Sequence, residues 1–108
     1  MNSRERYERV LRVVNLQTTH KQLPGATMST LKVVLAAHGP YEGEDIGASV
    51  RRAVEMDALV RWTDEDGNIR YTLATEDDLQ RAARYCGEHG LTEETGRLNT
   101  ALSEVRDG

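Results

Sequence analysis

The chain has 108 residues, of which 38% are apolar and 30% charged, enough for one domain with a modest core. No apolar run approaches the roughly 18 residues that a membrane span needs, and the charged start "MNSRERYERV" lacks the apolar block of a signal peptide. The one cysteine, Cys86, excludes an internal disulfide and fits a reducing compartment. We therefore expect a cytoplasmic protein that does not enter a membrane.

The net charge of −4 is unevenly distributed. Residues 1–40 carry six Lys or Arg against two Glu, whereas residues 41–73 carry four Arg against eight acids. Residues 74–108 likewise carry four Arg against eight acids. Modules that bind nucleic acids are usually basic overall, so this balance counts against DNA binding.

The first helix is predicted over residues 3–16, capped by Ser3. Its apolar residues recur at helical spacing, and they are Tyr7, Val10, Leu11 and Val14. Acid–arginine pairs four residues apart favour a merely solvated outer face. The arginines of this helix, Arg4, Arg6, Arg9 and Arg12, would instead support DNA binding if they shared a side with residues 49–57. If they paired with the acidic C-terminal helices, their charge would be neutralised within the protein.

A second helix is predicted at about 28–38, with the stripe Met28, Leu31, Val34 and Leu35 and the stop signal "HGP". The next segment predicts a one-turn helix near 43–47, interrupted at Gly47, and then a helix from a Ser49 cap to about Met56. Its apolar stripe is Ile46, Val50, Ala53 and Val54. Helix 49–56 would end before Asp57, which would otherwise fall on the apolar face.

A β-hairpin follows, with strands at about 59–63 and 69–73. The dipeptide Asp66-Gly67 favours a two-residue loop, which would pair Trp62 with Tyr71. The alternative is a four-residue loop, which would pair Trp62 with Ile69. In both registers Arg61 and Arg70 lie on one polar face. Three consecutive acids, Asp64, Glu65 and Asp66, form the tip.

Two further helices are predicted at the end of the chain. The first begins at Thr75, which with Asp78 resembles a cap, and stops at Gly87 or Gly90. Its stripe is Leu79, Ala82, Ala83 and Cys86. The second runs from Thr92 to about Val105, and its stripe of Leu91, Thr95, Leu98, Leu102 and Val105 fits either a coiled coil or packing inside the monomer.

The order of these elements resembles the winged helix-turn-helix of small prokaryotic and archaeal DNA-binding regulators. The matching segments, within residues 27–74, are "STLKVVLAA", "GEDIGASVRRAVEMDALV" and "RWTDEDGNIRYTL". The resemblance implies one domain over 1–108, mainly α with a small β-hairpin (an α+β fold). Residues 3–16 and 75–106 would be flanking helices, and a homodimer would form through them.

The resemblance also implies a sequence-specific transcriptional regulator that binds double-stranded DNA. Its recognition helix, at about 49–57, would use Ser49, Arg51, Arg52 and Glu55, and the wing at about 59–73 would use Arg61 and Arg70. In the alternative interpretation Arg51 pairs with Glu55 and the arginines only solubilise the helix. The acids at the tip would repel phosphate.

A second function fits the same fold, namely a protein–protein interaction module that does not bind DNA. Catalysis is not expected, since no nucleophile–base order or phosphate-binding glycine loop is present. The spacing of Cys86 and His89, with His20 and His38 elsewhere, is weak evidence for metal, because structural zinc needs four paired ligands. We expect no metal and no cofactor.

Overall fold

Residues 3–20, 24–37 and 43–107 are described by the computed structural model, and they form five helices and a three-stranded antiparallel sheet. This part of the chain is mainly helical with a small sheet, which confirms the α+β prediction. In chain order the elements are α1 (Ser3–His20), β1 (Ala26–Thr27), α2 (Met28–Ala37), α3 (Gly43–Glu55), β2 (Leu59–Thr63), β3 (Ile69–Leu73), α4 (Glu76–Glu88) and α5 (Thr92–Asp107). The stop signal at 38–40 lies outside the described residues. Among the described helices, none is long and apolar enough to cross a bilayer.

The sheet has the order β1-β3-β2, so the short strand before α2 lies beside the second strand of the hairpin. Ala26 pairs with Tyr71 in this added ladder. The sequence did not predict β1, because two residues are too short for an alternating pattern to show.

Helices cover both faces of the sheet, and each face closes its own core. One core joins the sheet to α1, α2 and α3, and its fully buried members include Val10, Val14, Leu31, Ile46, Val50 and Leu59. The other joins the sheet to α4 and α5 through Trp62, Leu79, Ala82, Cys86, Leu98 and Leu102. The hairpin is therefore an inner layer of the molecule, and α1 belongs to the core that we had assigned to residues 27–74.

Two helices differ from the prediction. α1 continues four residues beyond the predicted end, and α3 is one continuous helix from Gly43 to Glu55. Ser49 is thus inside α3 and not its cap. Glycine inside a helix costs only about 1 kcal/mol, and burial of Ile46 and Val50 on one continuous stripe outweighs that cost.

The predicted end of α3 is confirmed. Asp57 adopts a positive φ of 60°, its N–H donates to the Val54 carbonyl at 3.1 Å, and the Ala58 N–H donates to the Ala53 carbonyl at 2.9 Å. These two hydrogen bonds are those of a Schellman motif, which satisfies the last carbonyls of a helix. α4 ends in the same way with Gly90 at φ 71°, so of the two predicted glycines Gly90 is the stop.

The register of the hairpin lies between the two that we predicted, and both were wrong. Trp62 faces Arg70 and Arg61 faces Tyr71, because the loop contains three residues, 65–67, and closes with Gly67 at φ 84°. A shift of one residue moves every side chain of a strand to the other face. Arg70 therefore lies on the face of Trp62, and the prediction that Arg61 and Arg70 share a polar face was wrong.

The apolar stripe of α5 packs inside the monomer. Leu98 and Leu102 are buried in the second core beside Trp62 and residues of α4. Of the two alternatives that the spacing left open, intramolecular packing is the one observed. At the start of α4, Thr75 is the N-cap residue, and its hydroxyl donates to Oδ2 of Asp78 at 2.9 Å.

Candidate nucleic-acid interface

The outer face of α3 carries the candidate site residues Arg51, Arg52 and Glu55, all of them exposed. Burial of Ile46 and Val50 fixes the rotation of the helix and turns these side chains outward. Consecutive residues of an α-helix are about 100° apart around its axis, so Arg51 and Arg52 lie on different sides of α3. Each arginine lines its own groove.

Arg51 lines the groove between α3 and the hairpin, together with Glu55 and Arg61. The groove has a volume of about 360 Å³. Its remaining lining residues are Met28, Val54 and Tyr71. Three of the six predicted site residues thus come together here, and their formal charges leave one net positive charge.

Arg52 lines a second groove, between α3 and α1, with a volume of about 650 Å³. Arg4 and Arg6 from the first turns of α1 line the same groove, so two of the four arginines of α1 share a side with α3, whereas Arg12 lines a different groove with Asp77 and Asp78 of α4. The sequence contained the signal for these two residues, the basic excess of residues 1–40. It could not show on which side of the molecule that excess lies.

Ser49 also lines the groove between α1 and α3, but its exposure is only 6%. A side chain at this depth does not reach the outer face of α3. Ser49 is therefore separated from Arg51 and Glu55, with which we had grouped it.

Arg6 is held at the junction of α1 and α3 and is 20% exposed. Its Nη2 lies 3.9 Å from Oδ2 of Asp45, while its Nε is buried and has no hydrogen bond among the described residues. A buried polar group left without a partner costs about 1–3 kcal/mol, and such groups are uncommon in native proteins. Arg4, by contrast, forms an exposed ion pair with Glu8 at 3.3 Å.

Arg70 is engaged inside the protein. Its Nη1 lies 3.2 Å from Oδ2 of Asp64, and the two side chains are 11% and 1% exposed. Its Nε and Nη2 donate to the carbonyl oxygens of Pro24 and Gly25 at 2.9 and 3.2 Å. The guanidinium thus ties the hairpin to the segment before α2, and it is not available to a partner.

The acidic tip of the hairpin folds back on α4. Oδ1 of Asp64 accepts hydrogen bonds from the backbone of Asp66 and Asn68 at 3.0 and 2.9 Å, so this acid organises the loop. The Glu65 carboxylate lies 3.3 Å from Nε2 of His89. Burial raises the pKa of Tyr85, neighbouring carboxylates of the tip add to the rise, and a backbone hydrogen bond from Glu65 opposes it. The carboxylates of Asp64 and Glu65, two of the three tip acids, are therefore engaged by other groups of the protein.

The Cys86 thiol is fully buried in the second core. Burial raises its pKa to about 11, with a smaller contribution from the carboxylates of Glu94 and Asp64. A thiol with this pKa stays protonated at neutral pH and is a poor nucleophile and metal ligand. Within residues 3–20, 24–37 and 43–107, no three His, Cys, Asp or Glu side chains are grouped to hold a metal ion.

Comparison of the chain with protein-family models, with curated protein sequences and with solved structures found no match. The surface of the molecule is therefore the basis for the function proposed below.

Proposed function

We propose that this protein binds double-stranded DNA through the outer face of α3, as a winged-helix regulator of transcription. The order of its elements supports the proposal: three helices with a short strand before the second, then a hairpin whose second strand pairs with that short strand. An α-helix with an exposed polar face fits the major groove of B-DNA.

The observation that carries the proposal is a series of arginines across one surface. Arg4 and Arg6 on α1, Arg52 and Arg51 on α3, and Arg61 on β2 line two grooves on either side of α3. Phosphate contacts supply most of the affinity for DNA and act over such a surface.

The distribution of charge explains how a chain with a net charge of −4 can bind a polyanion. α1, α2 and α3 together carry seven Lys or Arg and five Asp or Glu. α4 and α5, on the other face of the sheet, carry four Arg and eight Asp or Glu. The first three helices thus have a net charge of +2, whereas α4 and α5 together have a net charge of −4.

Specific roles follow from side-chain chemistry. Arg51 and Arg52 can each donate two hydrogen bonds to guanine, and Glu55 can accept one from the amino group of cytosine. Arg61 and Arg4, at the edges of the surface, would bind phosphates and fix the register without reading sequence. Ser49 and Arg70 are left out, because Ser49 is buried and Arg70 is engaged by Asp64 and by the carbonyls of Pro24 and Gly25.

Amide chemical-shift mapping with an unlabelled duplex of about 20 base pairs, roughly two helical turns, tests this surface. The expected shifts are in α3, at the start of α1 and at Arg61, and they should decrease as salt is raised from about 50 to about 200 mM. Shifts concentrated in α4 and α5, or none at low salt, would contradict the proposal.

A protein–protein interaction module is the second candidate, and the acidic surface of α4 and α5 favours it. Eight acids against four arginines would suit a basic partner. We also propose a homodimer, which is compatible with either candidate function. It would need a surface other than the apolar stripes of α1 and α5, which are buried in the chain's own cores.

A further inference from the structure

The groove between α1 and α3 has properties beyond those of a DNA-binding surface. Its volume of about 650 Å³ lies within the roughly 300–1,000 Å³ of sites for small molecules. It is bounded by two helices that share the first core, so its walls are fixed by the fold.

The polar part of the groove is cationic. Arg4, Arg6 and Arg52 face one carboxylate, Glu8, which pairs with Arg4 at 3.3 Å. Among the side chains that the structure describes, Arg52 has no ion pair. Within the same described set, Arg6 has the 3.9 Å contact to Asp45, and its buried Nε has no hydrogen bond. Two guanidiniums therefore remain with donors to offer to an anion, and such forks match carboxylate and phosphate oxygens.

The rest of the lining is apolar or aromatic. Tyr7, Ala48 and Met56 line the groove, and Met56 is 59% exposed and open to a ligand. Methionine adapts its shape to varied apolar ligands. An inorganic ion would leave these side chains in water, whereas a larger molecule would cover them.

We infer that this groove binds a small organic anion, whose carboxylate, sulfonate or phosphate is held by Arg6 and Arg52 and whose apolar body lies along Tyr7, Ala48 and Met56. The inference does not depend on DNA binding. A phosphate of the DNA backbone has the same anionic chemistry but carries no apolar group to cover Met56.

Two fluorescent probes with the same aromatic rings separate these contributions. Anilinonaphthalene sulfonate carries the anion, and phenylnaphthylamine is its neutral counterpart. Titration of the intact protein should show saturable binding of the sulfonate at least about tenfold tighter than that of the neutral probe, because charge-assisted hydrogen bonds are the stronger ones. Amide shifts caused by the sulfonate should map to Tyr7, Ala48 and Met56.

Variants at exposed positions keep the test free of folding defects. Arg52→Gln and Met56→Glu should each weaken binding of the sulfonate probe by at least about tenfold. The first variant removes a guanidinium that would hold the anion, and the second adds a charge that repels it. Arg61→Gln, in the other groove, is the matched control and should bind as the wild type does. Unchanged affinity in the first two variants, or equal affinity for both probes, would overturn the inference.

Competition distinguishes the two sources of the anion. Benzoate should displace the sulfonate from the groove. Displacement by duplex DNA but not by benzoate would assign the groove to the DNA backbone and overturn the small-molecule inference. DNA binding by the wild type is measured in a separate titration, and its outcome does not depend on these results.

Discussion

The buried Asp64 forms an ion pair of 3.2 Å with the partly buried Arg70, and this pair joins the loop of the hairpin to its second strand. Through Arg70 the same pair reaches the carbonyls of Pro24 and Gly25, so one contact fixes the loop, β3 and the start of β1. Two residues that a wing would present to DNA are thereby used to hold the sheet together.

Removing either member of this pair should destabilise the protein. We expect Asp64→Asn and Arg70→Met each to lower the free energy of unfolding by about 3 kcal/mol, because each leaves the other charge buried without its partner. Urea unfolding followed by the fluorescence of Trp62 measures this. Asp66→Asn, at an exposed acid of the same loop, is the control and should change stability by less than about 0.5 kcal/mol. Equal effects at positions 64 and 66 would contradict the account.

Gly25 should tolerate alanine much less well than Gly67. Both have a positive φ, but an added Cβ at Gly25 would lie 2.5 Å from the Tyr71 carbonyl oxygen, whereas nothing lies within 4 Å at Gly67. We expect Gly67→Ala to cost about 1 kcal/mol from backbone strain alone, and Gly25→Ala to cost at least about 2 kcal/mol more. Comparison of the two variants by thermal unfolding decides this. Similar losses would mean that the β1–β3 contact is looser than the structure indicates.

The hydrogen bond from the Trp62 indole to the Thr72 hydroxyl, 2.9 Å long, is buried in the sheet. Thr72→Val removes the acceptor and leaves the indole N–H unsatisfied, so we expect a loss of about 1–3 kcal/mol. Thr63→Val, at a less buried position of β2, provides the control. An unchanged urea midpoint in Thr72→Val would show that the indole finds another acceptor.

The Cys86 thiol should contribute to loss of stability in alkali. Its pKa is raised from 9.0 to about 11 in the folded protein, so between these values the unfolded chain releases the proton and the folded chain retains it. Stability from this group is therefore complete below about pH 9 and falls by up to roughly 2 kcal/mol as the pH rises toward 11. Cys86→Ala should lose less stability than the wild type between about pH 8 and about pH 10.5.

The burial of Cys86 should also limit the reactivity of its thiol. At neutral pH, Cys86 should react with Ellman's reagent only when the second core opens, so its rate should follow urea-induced unfolding. A fast reaction in the folded protein would contradict the burial of the thiol.

Much of the fold could be predicted from the sequence, because it depends on local patterns. The strands at 59–63 and 69–73 and the ends of α3 and α4 matched, since apolar alternation and positive-φ residues such as Asp57 and Gly90 act over a few positions. The register could not be predicted. Whether the loop has two, three or four residues depends on Asp64, whose carboxylate binds the loop backbone and Arg70 only in the folded sheet.

The candidate site was predictable only in part, for a similar reason. Helical spacing alone turns Arg51 and Arg52 outward, and both are exposed as expected. Ser49 was misplaced because Gly47 was interpreted as a break in α3, although burial on both sides of it keeps the helix continuous. Arg4 and Arg6 join the surface through packing of α1 against α3, which has no local signal in the sequence.

The most direct test of the proposed interface compares two variants that each remove two positive charges. Fluorescence anisotropy with a labelled duplex of about 20 base pairs at about 50 mM salt would be measured for Arg51→Ala/Arg52→Ala and for Arg81→Ala/Arg84→Ala, whose arginines are exposed on α4. We predict that the α3 variant loses at least about tenfold in affinity, while the α4 variant binds as the wild type does. The slope of the logarithm of the binding constant against the logarithm of the salt concentration should fall by nearly two in the α3 variant. Equal losses in the two variants, or no binding by the wild type, would contradict the proposed interface.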